Sequence, residues 1–389
     1  MSGRPPSPIP ARLRAQFPAG HGRVFFAPGR VNLVGAHLDY NGGDVLPVAV
    51  DRGISVAARL RDDGRIRLRS LEQDLVVEVE RAALAGPRDP ARAWGNYPLG
   101  VWREFAAVTG ERHGVEMVFS GDLPMASGMS SSAAIEIATA TALDRLHGTK
   151  LDPIEIAMLG HRAETDYVGL KCGIMDQFTS ALGRAGHALW LHCHTQTYEH
   201  VALDDEAFEL LVLDTRKPRT LATTGFNQRV RECQEAHAAL RAAGIDRPFL
   251  AAYTADDLAR AGESLPPVPA RRARHVVSEM GRVAEAVADL RRGDIAALGR
   301  ALDGSHESTR TDYEVSCDEL DEITDAARAC ASVFGARLTG AGFGGCAIAL
   351  VQPGASAAVA ASVAERYRAR FDIEPRFEVL RAGGGPQEV

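Results

Sequence analysis

The chain has 389 residues, 46% hydrophobic and 24% charged, with 44 basic against 51 acidic side chains and a formal net charge of -7. That balance excludes the fibrous and disordered classes and leaves apolar material for a large core in two domains. It also argues against a nucleic-acid footprint and a polybasic membrane patch, so a small-molecule partner is expected.

Six cysteines, Cys172, Cys193, Cys233, Cys317, Cys330 and Cys346, fall without a CxxC pair or framework spacing, which predicts a reduced, cytoplasmic setting. No apolar run approaches the roughly 18 residues of a membrane span, and the amino-terminal stretch lacks a signal-peptide core. Residues 1 to 10 are proline-rich, and Ala11 to Phe17 has the pattern of a short helix. Val24 to Ala27 reads as a strand. After it, PGRVNLVGAHLDYNGGDVLP clusters Gly, Asn and Asp between apolar residues and predicts loops rather than one continuous element. Arg30, His37, Asp39 and Asn41 crowd together there, a set suited to a polyhydroxylated ligand, with solvated turn residues as the alternative. Strands are expected at Gly53 to Leu60, Arg65 to Ser70 and Leu75 to Val79. Trp94-Gly95-Asn96-Tyr97 then opens a helix whose aromatic pair either faces a nucleobase or belongs to the core.

Leu123-Pro124 ends an extended segment, and Ala126, Ser127, Gly128 and Ser130 to Ser132 supply small side chains before an Ala-rich helical run, Ala133 to Leu146. A tight loop opening a helix presents unpaired N–H groups at the positive end of the helix dipole, so the expected guest is a phosphate. The serine hydroxyls can also reach a metal, and an ordinary Ser-capped helix is the alternative. No Gly-Lys-Ser/Thr follows, so this is not a Walker A loop. Asp152-Pro153-x-Glu155 predicts a helix running to about Val168 and carrying Glu164. KCGIMDQFTSAL then places Asp176 at an apolar helix start, where a buried carboxylate is a cap, an ion-pair partner or a base facing a cleft.

His187 to Trp190 and Glu209 to Asp214 read as strands, and the domain boundary is placed near residue 200, dividing 1–200 from 201–389. His192 and His194 flank Cys193 without a third ligand nearby, which favours surface residues over a metal pair. Helices are expected at Thr254 to Ala261, Arg271 to Arg291, Asp294 to Ser308 and Cys317 to Phe334, with Pro266-Pro267-Val268-Pro269 as a connecting loop. Gly340, Gly342 and Gly345 have dinucleotide-fingerprint spacing, but the strand-like CAIALV follows them where a helix is required, so that reading is rejected. No HRD or DFG signature of a protein kinase is present.

Five motifs in this order carry a family resemblance: APGRVNLVGAHLDYNGG (Ala27 to Gly43), LPMASGMSSSAA (Leu123 to Ala134), CGIMDQF (Cys172 to Phe178), SHESTRTDYEVSCDELD (Ser305 to Asp321) and LTGAGFGGC (Leu338 to Cys346). Over nearly its whole length the chain resembles the galactokinases of the GHMP small-molecule kinase superfamily. The resemblance implies an α+β GHMP kinase fold of two lobes, a ribosomal-protein-S5-like N-terminal lobe and a ferredoxin-like C-terminal lobe, with the site between them. It implies ATP and a sugar as partners, Mg2+ as the metal, and phosphorylation of an anomeric hydroxyl to a sugar 1-phosphate. By the same resemblance Gly128, Ser130, Ser131 and Ser132 cradle the ATP phosphates, Ser132 and Glu164 hold Mg2+, and Trp94 and Tyr97 lie on the nucleotide side. Asp176 matches the family's catalytic aspartate, which accepts the hydroxyl proton, and Arg30 neutralises charge between it and the γ-phosphate. His37, Asp39 and the Gly173 backbone fall where the family binds sugar hydroxyls. Phosphoryl transfer leaves a protein mostly positioning and electrostatics to supply, which one carboxylate, one guanidinium and one metal provide.

Two departures bear on the sugar. The family's GEHTDY reads GAHLDY here, so Ala36 replaces the glutamate that contacts the C6 hydroxyl, and Phe226 stands where galactokinases usually carry a sugar-touching tyrosine. Asp39, which in the family reads the C3 and C4 hydroxyls, is retained, so galactose or galacturonate is expected, the latter with Lys171 or His37 as carboxylate partner. L-arabinose, which lacks C6, is a third candidate. The competing class is a non-catalytic sugar and ATP sensor, against which the Ser-rich loop, Arg30, Glu164 and Asp176 all survive.

Overall fold

Two sheets divide the residues that the structure, a computed structural model, describes: 9–18, 21–73, 75–123, 128–217 and 222–389. The expectations for residues 1–8 and for Pro124, Ala126 and Ser127 lie outside these described residues. In the first sheet Arg23–Val34 pairs with Asp44–Arg61, which pairs in turn with Gly114–Gly121, both antiparallel. Arg65–Ser70 runs parallel to Gly114–Gly121, and Val76–Glu80 closes that edge. At the other edge Gln387–Glu388 adds two residues to Arg23–Val34, while His187–His192 and Thr197–Ala202 form a hairpin on the start of Asp44–Arg61.

Period-two alternation sets the two faces. Phe25, Val56, Ala58, Met117 and Phe119 turn to the main core beneath helices Asn96–Thr109, Ser131–His147, Pro153–Arg162 and Met175–Leu182. Val24, Ala57 and Val118 turn the other way, onto helix Ile9–Arg14.

The second sheet orders Arg376–Leu380, Glu209–Asp214, Cys346–Val351 and Val333–Leu338, all antiparallel. Ala347, Ala349 and Val351 meet Ile323, Val363 and Tyr367 of helices Asp318–Arg328 and Ser356–Phe371. Ile348 and Leu350 face the main core, where helix Ile295–Thr311 contributes Leu298 and Leu302. Cys346–Val351 is therefore buried on both faces, which is why its sequence is an unbroken apolar run. Each fully buried Val, Leu or Ile is worth roughly 1.5–3 kcal/mol over exposure, so this strand binds the C-terminal helices firmly to the core.

Several expectations need correction. PGRVN is not a loop but part of strand Arg23–Val34; register slips between Pro28 and Arg30 and between Asn32 and Val34 let proline and glycine sit within it. Pro266 to Pro269 do not form a connecting loop, because helix Pro267–Arg292 begins at Pro267, where a missing N–H costs no intrahelical bond. The helix expected from Cys317 to Phe334 stops at Arg328, and Val333–Leu338 is a strand, since pairing with Cys346–Val351 overrides local helical pattern. The segment after the Gly340 to Gly345 loop is a strand, as expected. Among the described residues no helix is long and apolar enough to cross a membrane.

Candidate active site

The register slip at Pro28 and Arg30 releases backbone groups that other elements take up. Arg30 N–H donates to Met129 O at 3.1 Å, and Ser180 Oγ donates to Pro28 O at 2.7 Å. The strand is thereby pinned between the Ser-rich loop and helix Met175–Leu182, leaving Arg30 buried. Its Nε and Nη2 each donate at 2.7 Å to the two oxygens of Asp176, and its Nη1 donates to Gly128 O at 2.5 Å. Such a two-pronged charged pair fixes both groups in one plane. Ser130 Oγ donates to Asp176 Oδ2 as well. Ser130 heads helix Ser131–His147 with φ 56. A left-handed serine costs roughly 1–2 kcal/mol, and the bond to Asp176 offsets that strain.

Glu164 follows helix Pro153–Arg162 on a widened, π-type turn, Ala163–Val168, a local geometry frequent at functional sites. Its Oε2 accepts from Gln177 Nε2 at 2.6 Å and Cys172 Sγ at 3.3 Å, and Ser132 also hydrogen-bonds it. Gln177 Nε2 bridges onward to Glu136 Oε2 at 2.9 Å. Burial and then the Asp176 charge raise the Glu164 carboxyl, while burial and then Glu164 raise the wholly buried Glu136 well above its usual range. Glu164 and Glu136 thus lie within electrostatic reach of Asp176, the carboxylate that the Arg30 guanidinium pairs with. The Ser132 hydroxyl and Glu164 carboxylate are hard oxygen donors, the set that suits Mg2+.

At the opposite end, the loop from Gly35 to Asn41 is held from behind by helix Pro267–Arg292. Glu279 Oε1 accepts from Gly35 N at 2.9 Å and Ala36 N at 3.0 Å, and His275 Nε2 lies 3.0 Å from Ala36 O. A carbonyl only accepts, so His275 carries its proton on Nε2 and turns Nδ1 to Ser308 Oγ at 2.8 Å. Burial alone would push the Glu279 carboxyl up, but His275, Arg282 and Arg337 hold it at about 2. Ala36 itself is buried.

His37 Nδ1 lies 2.9 Å from Tyr40 Oη, which lies 2.7 Å from Tyr313 Oη. The Phe226 ring stands 5.7 Å from His37 and 5.2 Å from Tyr40, completing an aromatic wall. Burial, reinforced by His275, Arg337 and Arg229, lowers His37 to about 3, so its imidazole is neutral near pH 7. Asp39, deep in the cleft but partly open to solvent, is pushed up to about 7 by burial and by Asp176, against the pull of Arg30. Gly173 abuts it so closely that a Cβ there would lie 2.2 Å from Asp39 Oδ2.

Trp94 and Tyr97 are half-buried and line a cleft of about 490 Å³ that ends at Ser131 and Ser132. Trp94 packs edge-on against Phe119 with ring centres 5.4 Å apart, so it serves the core and the cleft together. His192 and His194 do not converge: His192 pairs with Asp44 at 2.9 Å, and His194 lies against Phe249. Tyr40, Tyr313, Glu136, Gln177, His275 and Glu279 were not singled out from sequence. Tyr40, Gln177 and Tyr313 lie inside the quoted motifs and Glu136 two residues past the end of one, whereas the helix bearing His275 and Glu279 gave no signal beyond its periodicity.

The model described as GHMP kinases N terminal domain matches residues 96–184, the galactokinase galactose-binding signature matches 12–60, and the GHMP kinases C terminal model matches 286–369. A galactokinase from Halalkalibacterium halodurans is 38% identical over 367 residues, covering 94% of this chain and 92% of that protein. The chain belongs to the galactokinase family of GHMP kinases. A crystal structure of Lactococcus lactis galactokinase complexed with galactose matches this galactokinase-family chain with a TM-score of 0.93 at 32% identity, covering 98% and 99% of the two chains. Methanococcus jannaschii mevalonate kinase, 18% identical, shares the fold alone, with a TM-score of 0.69 over 94% and 100% of the chains. The expected GHMP kinase fold is the observed one, and the protein is a phosphotransferase, a sugar kinase that uses ATP.

Proposed function

We propose that this kinase transfers the γ-phosphoryl group of ATP to the anomeric hydroxyl of galactose, giving the sugar 1-phosphate. The observation that carries the reading is the two-pronged Arg30 to Asp176 pair, whose third arm reaches Gly128 O, so that one cation serves both the acceptor side and the phosphate loop. Asp176 accepts the hydroxyl proton, and Arg30 offsets charge on the transferring group. Gly128, Ser130 and Ser131 cradle phosphates, and Trp94 and Tyr97 flank the base. Ser132 and Glu164 would hold Mg2+, which when bound supplies positive charge to the phosphate oxygens. Asp39 and the Gly173 main chain take ring hydroxyls beside His37 and Phe226, and Ala36 leaves the C6 end without an acidic contact.

Galactose is preferred over galacturonate because the partners expected for a C6 carboxylate are poor ones: His37 is neutral at about 3, and Lys171 is solvent-exposed. Relatives named galactokinase weigh against arabinose and against a non-catalytic sensor. The same reading divides the chain near residue 200. Strands up to Thr197–Ala202 join the first sheet and those from Glu209–Asp214 the second, with Gln387–Glu388 returning to the first. It also fits the cytoplasm, since all six cysteines are free thiols.

The test offers the purified protein ATP, Mg2+ and a sugar panel, with the product analysed by phosphorus NMR. Galactose-dependent ADP formation with phosphate on the anomeric carbon is expected; ATP turnover indifferent to sugar, or phosphate on another hydroxyl, would overturn the reading.

A further inference from the structure

Helix Asn96–Thr109 leads through a short connection into strand Gly114–Gly121, and helix Ser131–His147 ends beside that connection. Glu111 and His113 lie on the connection, and His147 is the last residue of the second helix. His147 Nδ1 stands 3.2 Å, and His113 Nδ1 3.4 Å, from the same oxygen, Glu111 Oε2. One ligand atom from each of the three side chains lies within 4.8 Å of the other two. Zinc bonds of about 2.0–2.2 Å to nitrogen and oxygen, at tetrahedral angles, place neighbouring ligand atoms about 3.3–3.5 Å apart. Two edges of the triangle, at 3.2 and 3.4 Å, already lie within about 0.1 Å of that range. The third edge is at most 4.8 Å, and the His113 side chain, 53% exposed, has room to turn and shorten it.

The His147 side chain and the Glu111 backbone are held in place. The His147 side chain is 3% exposed and its ring lies 5.4 Å from that of Phe105. Arg112 Nη1 donates to Glu111 O at 2.8 Å and to Ala106 O at 3.4 Å, fixing the connection to the preceding helix. The carbonyl end of helix Ser131–His147 adds negative partial charge beside the cluster. Two imidazoles with one carboxylate suit a borderline transition ion rather than Mg2+ or Ca2+.

We propose that Glu111, His113 and His147 form a binding site for one Zn2+-class divalent ion, with solvent completing its coordination. The site lies at the far end of the helix whose start carries Ser131 and Ser132, about 25 Å away at 1.5 Å per residue. The ion ties the end of that helix to the neighbouring connection, so it stabilises the native state by mass action and takes no part in phosphoryl transfer.

The experiment titrates metal-free, full-length wild type, His113→Ala and Glu111→Gln with Zn2+ against a chromophoric chelator, and with Co2+ followed by visible absorption. Expected are one Zn2+ per wild-type chain and Co2+ ligand-field bands without thiolate charge transfer. Affinity in both variants should be at least about tenfold weaker, the lower bound being what loss of a mere supporting partner costs a metal site. Zn2+ should raise the melting temperature of wild type but not of His113→Ala, with Mg2+-dependent kinase activity unchanged by either substitution. The proposal is overturned if wild type binds no Zn2+, if the variants bind as tightly as wild type, or if Co2+ shows thiolate charge transfer, which would assign the metal to the cysteines.

Discussion

Sugar binding should be governed by the protonation of Asp39. Burial and the neighbouring Asp176 push this carboxyl up to about 7, so near neutrality it retains a proton that an ordinary aspartate would have lost. Ring hydroxyls that donate to Asp39 require the carboxylate, and galactose therefore competes with that proton. With the value at about 7, roughly a tenth of the free protein is ionised at pH 6 and roughly nine-tenths at pH 8. Galactose should then bind about tenfold more tightly at pH 8 than at pH 6, a difference of about 1.4 kcal/mol. Calorimetric titration without nucleotide, in buffers of different ionisation enthalpy, reads both the affinity and the proton released on binding. Asp39→Asn should bind weakly and lose the pH dependence. Because the folded value is raised, stability is lost as pH climbs from the ordinary carboxyl range to about 7, so the same substitution should raise the melting temperature more at pH 8 than at pH 5. Equal galactose affinity at pH 6 and pH 8 with no proton release would refute the reasoning.

Asp176→Asn should lower kcat by roughly 10² to 10⁴ while leaving ATP affinity nearly unchanged; retention of more than about a tenth of wild-type kcat would remove its assignment as base. Gly173→Ala puts a Cβ 2.2 Å from Asp39 Oδ2, and overpacking of roughly 1–3 kcal/mol should appear as a raised KM for galactose with the KM for ATP unmoved. Ala36→Glu restores an acceptor for a C6 hydroxyl, worth roughly 1.5–3 kcal/mol, and should shift the galactose-to-galacturonate ratio of kcat/KM about ten- to a hundredfold toward galactose. An unchanged ratio would separate position 36 from the sugar's C6.

Motif spacing picked out the residues that the structure gathers around Arg30 because they announce themselves locally: Gly128 and the serines by small size before a helix, Asp176 by a carboxyl in an apolar frame. The fold around them was legible where pattern is local, as for Arg65–Ser70, Glu209–Asp214 and the capped helix at Pro153–Arg162. It was illegible where a distant partner decides. PGRVN becomes a strand because Asp44–Arg61 lies alongside it, and Val333–Leu338 because Cys346–Val351 does. Glu279 shows the same limit at the site. On a regular helical face it is unremarkable, and only the fold brings it to the N–H groups of Gly35 and Ala36, some 240 positions away in sequence. The departure at Ala36 was visible, but the neutrality of His37 follows from burial that no local pattern reports.

Hydrogen bonds run from Gly128 O through Arg30 and Asp176 to Ser130, and the backbone from Gly128 to Ser130 closes the circuit. Under the proposed mechanism, an acceptor hydroxyl arriving at Asp176 must share an oxygen with Arg30 or Ser130, and a phosphate arriving at the loop meets groups already committed to Asp176. Neither substrate therefore finds a vacant half-site. Whatever factor the sugar imposes on nucleotide affinity, the nucleotide must impose equally on the sugar. Affinities measured for either alone describe a differently wired circuit from the one that turns over.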